Sequence, residues 1–283
     1  MPAQRERRST VVAVVVALAS ALGFATVYAL GVLTRGGQVL ENRALDGSTF
    51  LGRPGGLLSL VTTVNIAVAL AVVLLIGVAM RRFRATGRAI GVVVVATVLS
   101  QVLKNGLLGR PDYLGDVSAN TLPSGHTVAY ASILFALLIV LPPRVRTVAA
   151  LVASVVLGVV VVQLLAFGWH RASDVVAGLL LVTGVMAVAH LVLPDRGAVA
   201  ARSGAGTRTL LVLGALVGVV LVVATVVFAA TLALDRSLAT THALLLASQV
   251  VCLAAVSLGV MAVLWVQRSA GAPVRRALAP SGT

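Results

Sequence analysis

The sequence predicts an all-α fold, a polytopic membrane helical bundle of about eight transmembrane helices, and three observations carry that expectation. Of its 283 residues, 59% are apolar and only 11% are charged, far less polar surface than a soluble domain of this length presents. Apolar runs recur along the chain, and the first, residues 10–34, spans about 37 Å as a helix against a hydrocarbon core of about 30 Å. The basic residues, finally, sit in short segments between those runs.

Taken in order, the spans are expected at residues 10–34, 56–80, 89–108, 124–141, 147–167, 174–193, 209–234 and 241–266. The first is too long for the apolar region of a cleavable signal and lacks a small-residue cleavage site before Arg35, so it reads as an uncleaved span. With the N-terminus inside, fifteen of the 22 basic residues lie on the cytoplasmic side, and Arg35, Arg43, Arg53, Lys104, Arg110, Arg171 and Arg236 remain on the other. The positive-inside bias then places both termini in the cytoplasm of a multi-pass protein of the plasma (inner) membrane. The connection from Arg35 to Pro54 becomes the longest outer one. A Gly/Ala/Ser-rich linker at 196–208 separates a unit of six spans, 1–195, from 209–283, which holds two further spans and a basic tail without chemical motifs.

Composition also excludes some classes of function. The formal charge of +14 is distributed by topology instead of being gathered on a soluble face, so nucleic acid is not an expected partner. Cys252 is the single cysteine, which leaves no internal disulfide and too little sulfur for a thiolate metal site. Carboxylates are scarce near the candidate site, which argues against a two-metal hydrolase.

The chemistry-bearing residues fall at the outer ends of spans. His170 and Asp174 lie four apart where the sixth span begins, so the carboxylate can orient one ring nitrogen and leave the other lone pair free to attack. Ser173 and Asp174 alone would equally make a helix start, through capping and the macrodipole. Pro123-Ser124-Gly125-His126 opens the fourth span, where free N–H groups bind anions, Ser124 adds a hydroxyl and His126 can protonate a leaving oxygen. Its plain alternative is a capped span with an interfacial histidine. Lys104, near the end of the third span, and Arg110, before Pro111, offer cations suited to phosphate oxygens, although both also fit as interfacial anchors. Asp112 is expected to shape the outer loop. His190 lies about 24 Å along the helix from Asp174 and belongs to the opposite end.

In order and spacing, these blocks resemble the type 2 phosphatidic acid phosphatase (PAP2) superfamily, which includes lipid phosphate phosphatases, bacterial prenyl-diphosphate phosphatases and vanadium-dependent haloperoxidases. The resemblance covers Lys104 to Gly178 and rests on Lys104 with Arg110-Pro111, on Pro123 to His126, and on His170 to Asp174 followed by Val175, Val176, Ala177 and Gly178. It implies that 1–195 is a six-helix PAP2-like core, and that the protein is a phosphatase needing neither metal nor cofactor. By resemblance, His170 attacks phosphorus to form a phosphohistidine, Asp174 orients it, and His126 protonates the leaving lipid oxygen. Lys104, Arg110, Ser124 and the Gly125 N–H hold the phosphoryl oxygens. The implied substrate is a phosphorylated membrane lipid, namely phosphatidic acid, phosphatidylglycerol phosphate or a polyprenyl phosphate or diphosphate, met on the extracytoplasmic side.

Two departures from the family pattern stand out. Five residues separate Lys104 from Arg110 where six are usual, so a continuous helix would set them about 120° apart; Gly106 and Gly109 are placed to end the helix first. Where the third block carries Ser-Arg, this chain has Gln163-Leu164, and Arg171 is the nearest replacement for the absent guanidinium. That gap keeps a second reading open, a catalytically silent lipid-binding or transport protein on the same scaffold. A vanadium haloperoxidase-like enzyme is the third.

Overall fold

Inside a bilayer a backbone must satisfy its own N–H and C=O groups, and long Val, Leu and Ala runs do so as helices. The computed structural model describes residues 2–48, 56–115, 120–194 and 238–269, together with Gly214 and Gly218. Apart from those two glycines, the expected span 209–234 and the linker 196–208 lie outside the described residues. Among the described residues every regular element is helical. These elements are α1 (Pro2–Val27, extended by a π turn over Tyr28–Val32), α2 (Arg35–Asp46), a 3-10 turn (Gly56–Leu60), α3 (Thr63–Ala79) and α4 (Phe83–Val102, extended by a π turn over Leu103–Leu107). They continue with α5 (Gly125–Val140), α6 (Pro143–Ala166), α7 (Ala172–Val192) and α8 (Leu238–Ser269).

Five helices among the described residues are long and apolar enough to cross a membrane: Arg7–Val32, Phe83–Leu107, Pro143–Ala166, Ala172–Val192 and Thr240–Arg268. Thr63–Ala79 and Gly125–Val140 are shorter apolar helices. The outward faces agree with that reading, for Leu22 is 69% exposed, Val64 70%, Val98 57% and Val155 66%. An apolar exterior of this extent is one that lipid, not water, covers. The protein is an all-α, multi-pass membrane bundle.

Two boundaries differ from expectation. The run starting at residue 56 begins as the 3-10 turn, and α3 starts only at Thr63, where the Thr62 hydroxyl accepts from Asn65 N–H. The connection after the first span is also more than a loop. Thr34, read from sequence as the end of that span, is instead the N-cap of α2, accepting from Gly37 N–H at 3.0 Å. A cap that directly follows an apolar run is masked by it.

Helix α7 is the centre of the packing and touches α1, α4, α5 and α8. Phe135, Leu157, Leu164, Leu179 and Met186 are buried in the shared core, and Cys252, Val256, Val260 and Val263 of α8 join it. The end of the bundle formed by the start of α4 and the close of α7 is tied by a polar knot. Arg88, 1% exposed, directs Nη1 to His190 Nδ1 at 3.2 Å and to the Leu193 carbonyl at 3.0 Å, and Nη2 to Gln267 Oε1 at 3.4 Å. A guanidinium only donates, so His190 Nδ1 accepts and Nε2 carries the proton toward Ser9 Oγ, 2.9 Å away. Arg88 and His190 together therefore bind α1, α4, α7 and α8 at the end remote from His170, in keeping with the expected position of His190.

Replacing Arg88 by Met keeps the apolar stem and deletes these donors. Hydrogen bonds to charged groups contribute about 1.5–3 kcal/mol, so a loss of stability of that order is expected in denaturant titrations of detergent-solubilised protein. Unchanged stability would show that the knot contributes nothing.

Candidate active site

The site is assembled at the other end of the bundle, where α4 and α6 finish and α5 and α7 begin. Helix α6 ends in a Schellman motif: Gly168 adopts φ +67°, its N–H donates to Leu165 O at 3.0 Å, and Trp169 N–H donates to Leu164 O at 3.1 Å. Glycine is required there twice over, since a Cβ would also lie 2.8 Å from Ser48 Oγ. The motif turns the chain and sets Trp169 and His170 directly before α7. The first turn of α7 then supplies Asp174.

Asp174 is fully buried, and its Oδ2 gathers three donors. His170 Nδ1 lies at 3.3 Å, Thr121 Oγ1 donates at 2.6 Å and Arg171 N–H at 3.0 Å. The Asp174 backbone carbonyl in turn accepts from Ser124 N–H at 2.9 Å. One residue thus fixes the ring of His170 and the entrance to α5 together. With Nδ1 committed to the carboxylate, the lone pair of His170 resides on Nε2.

Ser124, wholly buried, is the N-cap of α5 and accepts from Thr127 N–H at 3.3 Å. Gly125 follows as the first helical residue, with its nearest neighbour, Gln101 Nε2, 3.9 Å from where a Cβ would sit. The start of α5 is thus left open for an anion. Close approach of α7 to this start depends on Gly178, because a Cβ there would meet Thr127 Cβ at 3.1 Å and Ser124 O at 3.2 Å. His126, half-buried, stands edge-to-face to both Trp169 (centroids 5.5 Å) and His170 (6.0 Å). The two histidines are close enough for one phosphoryl group to touch both.

Lys104 and Arg110 reach the site by a route the sequence only half disclosed. Helix α4 gives way to the π turn containing Lys104, Leu108 N–H closes it on Leu103 O at 2.8 Å, and Leu108 is already extended. Arg110 is therefore off the helix, and the 120° separation of a continuous helix does not apply. Its backbone is stapled on both sides: Tyr28 Oη donates to Gly109 O at 2.7 Å, and Gln38 Nε2 to Pro111 O at 2.7 Å. Lys104 lies within electrostatic range of His126. Asp112 Oδ1 accepts from the N–H groups of Leu114 (3.2 Å) and Gly115 (2.7 Å), shaping the loop as expected.

Arg171 is buried, and its Nε and Nη2 both donate to Asn42 Oδ1, at 3.1 and 3.0 Å. It lines one small pocket with His170, Glu41 and, from α8, Leu245 and Ser248. Gln163 instead faces a groove between α6 and α8, with Val159, Val162 and Leu253. Among the described residues no group of three or more His, Cys, Asp or Glu is placed to hold a metal.

Sequence reasoning missed several contributors. Asn120 Nδ2 donates to Leu108 O at 2.9 Å and Leu122 O at 3.1 Å while its Oδ1 accepts from Leu122 N–H, joining the end of α4 to the approach to α5. Thr121 tethers Asp174. From α2, Glu41 accepts from Ser173 N–H at 3.0 Å and lies 3.9 Å from Arg110, while Asn42 holds Arg171. Their one sequence signal was polarity in the outer connection.

Residues 85–198 match the family model of the PAP2 superfamily. This segment is a PAP2 superfamily domain. It contains all but the first two residues of α4, the whole of α5 to α7, and with them Lys104, Arg110, Ser124, His126, His170 and Asp174, whereas Glu41 and Asn42 lie before it. No significant match was found among curated proteins or among solved structures. The chain is accordingly a multi-pass membrane protein that carries, over these residues, a domain of a phosphatase family whose members act on phosphorylated substrates.

Gly168→Ala tests the turn that presents His170. A non-glycine residue in the left-handed region costs roughly 1–2 kcal/mol, and the contact with Ser48 adds to it, so both the melting temperature and activity should fall. Gly91→Ala, where a Cβ meets nothing within 4 Å, is the matched control and should be neutral or gain up to about 1 kcal/mol. Equal behaviour of the two variants would refute the assignment.

Proposed function

We propose that the chain is a metal-independent phosphatase of membrane lipid phosphates or of polyprenyl phosphates and diphosphates, working through a phosphohistidine on the extracytoplasmic side of the plasma (inner) membrane. The observation that carries this reading is the convergence of His170, held by Asp174, with His126 and the open helix start at Gly125. His170 Nε2 attacks phosphorus as the bond to the lipid oxygen breaks, and that oxygen takes its proton from His126. Water then attacks the phosphohistidine, giving a proton back to His126, and inorganic phosphate leaves. Lys104, Arg110, the Ser124 hydroxyl and the Gly125 N–H neutralise the equatorial oxygens, the principal demand of phosphoryl transfer. Ser124 Oγ, as the helix cap, keeps its own O–H available to donate. Arg171 supplies the guanidinium missing at Gln163-Leu164 once substrate draws it from Asn42.

A site at the ends of apolar helices suits a substrate whose tail remains in lipid while its headgroup enters. We read 1–195 as the phosphatase unit, 196–208 as a linker, and 209–283 as an additional helix pair with a basic tail; both termini are cytoplasmic. A catalytically silent lipid-binding or transport protein is the second reading, favoured by the engagement of Arg171 with Asn42.

Purified protein should release inorganic phosphate from at least one of phosphatidic acid, phosphatidylglycerol phosphate and polyprenyl mono- and diphosphates, in excess chelator. His170→Ala should abolish release, and wild-type rates in that variant would sink the mechanism. Arg171→Ala removes a charge-assisted contact worth about 1.5–3 kcal/mol, so kcat/KM should fall roughly ten- to a hundredfold; an unchanged value would exclude Arg171 from phosphate binding. A cysteine at exposed Asp46 should react with impermeant reagent from outside the cell, and labelling only from within would invert the orientation.

A further inference from the structure

Outside the PAP2 segment, one titratable group of the site has no role in the chemistry above. Glu41 projects from α2 between Arg110 and the start of α7. Its Oε1 accepts from Ser173 N–H at 3.0 Å, whereas its Oε2 is buried, accepts no hydrogen bond, and sits 3.9 Å from Arg110 Nη1. Arg110 is as deeply placed, its side chain 3% exposed against 12% for Glu41. The pairing is therefore electrostatic and loosely made, at a distance beyond a hydrogen bond. The guanidinium expected to bind phosphate thus faces a carboxylate.

The guanidinium stays charged when a phosphate dianion arrives, but the carboxylate beside it is then disfavoured. A phosphate at Arg110 would meet Glu41 at close range, in surroundings of low dielectric where like charges repel strongly. We propose that Glu41 is a positioning residue that holds Arg110 when the site is empty and releases it to phosphate by taking up a proton. The inference rests on the phosphate-site reading above and assigns to it a gate contributed by α2.

The surroundings favour such a proton. Burial, with the negative charge of Asp174 assisting, raises the Glu41 carboxyl from 4.5 to about 7, against the opposing effects of Ser173 and Arg110. The charged or titratable groups around it are Arg110 after α4, Asp174, His170 and Arg171 at the start of α7, and Cys252 of α8. A phosphate dianion raises the carboxyl further, so binding is linked to proton uptake above pH 7. The sign follows: anion affinity falls as pH rises through about 7, because an increasing share of the protein must first gain a proton. Protonated, Glu41 changes from a competitor of the phosphate into a donor to it.

Glu41→Gln isolates this effect, because the amide oxygen can still accept from Ser173 N–H while the charge is gone. The probe is inorganic sulfate, a tetrahedral dianion that does not titrate near neutrality, and the signal is Trp169, which lies against His126. The second tryptophan of the chain is removed by Trp265→Phe in every protein compared. The parent-to-variant ratio of dissociation constants should rise between pH 7 and 9, approaching tenfold per unit, the limit for one proton. His126 and His170 are present in both proteins and cancel from that ratio. A constant ratio across the range overturns the proposal.

Should the variant not fold, proton uptake by the parent protein can be read directly, from calorimetry of sulfate binding at pH 8 in two buffers of different ionisation heat. An uptake near one proton supports the assignment, and none overturns it. Because sulfate binding is measured without turnover, the two readings separate. The expected pH course without phosphate release from any lipid would sink the phosphatase alone. Lipid turnover with an unchanged ratio would sink the role of Glu41 alone.

Discussion

The buried carboxylate of Asp174 is the constraint around which the rest is arranged. An ionised group removed from water is tolerated only when donors replace its hydration, and here they come from three places: the Thr121 hydroxyl before α5, the His170 ring after the α6 turn, and the Arg171 amide at the cap of α7. Its backbone carbonyl adds Ser124. Satisfying one carboxylate thus draws two loops and two helix starts onto a common point. The candidate nucleophile is oriented as a by-product of that requirement.

Much of this was legible in the sequence, and the illegible part has a physical cause. Helices were plain from apolar length, since lipid tolerates little else. The site blocks were equally plain, because His170 and Asp174 share a helical turn and Ser124 to His126 open a helix, relationships local enough to follow from spacing alone. What could not be read were contacts made across the bundle by short polar side chains. Thr121 lies 53 positions from Asp174, and Asn42 129 from Arg171; no periodicity links such pairs. Helix α2 was missed for a different reason: its cap, Thr34, adjoins the first span and was absorbed into it.

The spacing of Lys104 and Arg110 is a related lesson. Angular arithmetic for an ideal helix set the two apart, but the chain leaves α-helical geometry at Leu103 and is extended by Leu108. Arg110 is then placed by its neighbours, through the bonds that Tyr28 and Gln38 make to Gly109 and Pro111. Where a basic residue follows a helix end, the loop that receives it determines its direction, and the helical wheel does not.

The two ends of the bundle differ in how they are closed. At one, Arg88 and His190 join four helices through a cluster sealed in apolar surroundings, where few competing partners exist for those groups. At the other, α2 lies across the site through side chains that face ionic ligands as readily as each other. The four helices α1, α4, α7 and α8 are thus pinned to one another at the end remote from the site, and α7 connects that tie to Asp174. Side-chain rearrangement that admits an anion at the site can therefore be confined to α2 and the helix starts, while the apolar core behind them keeps its packing.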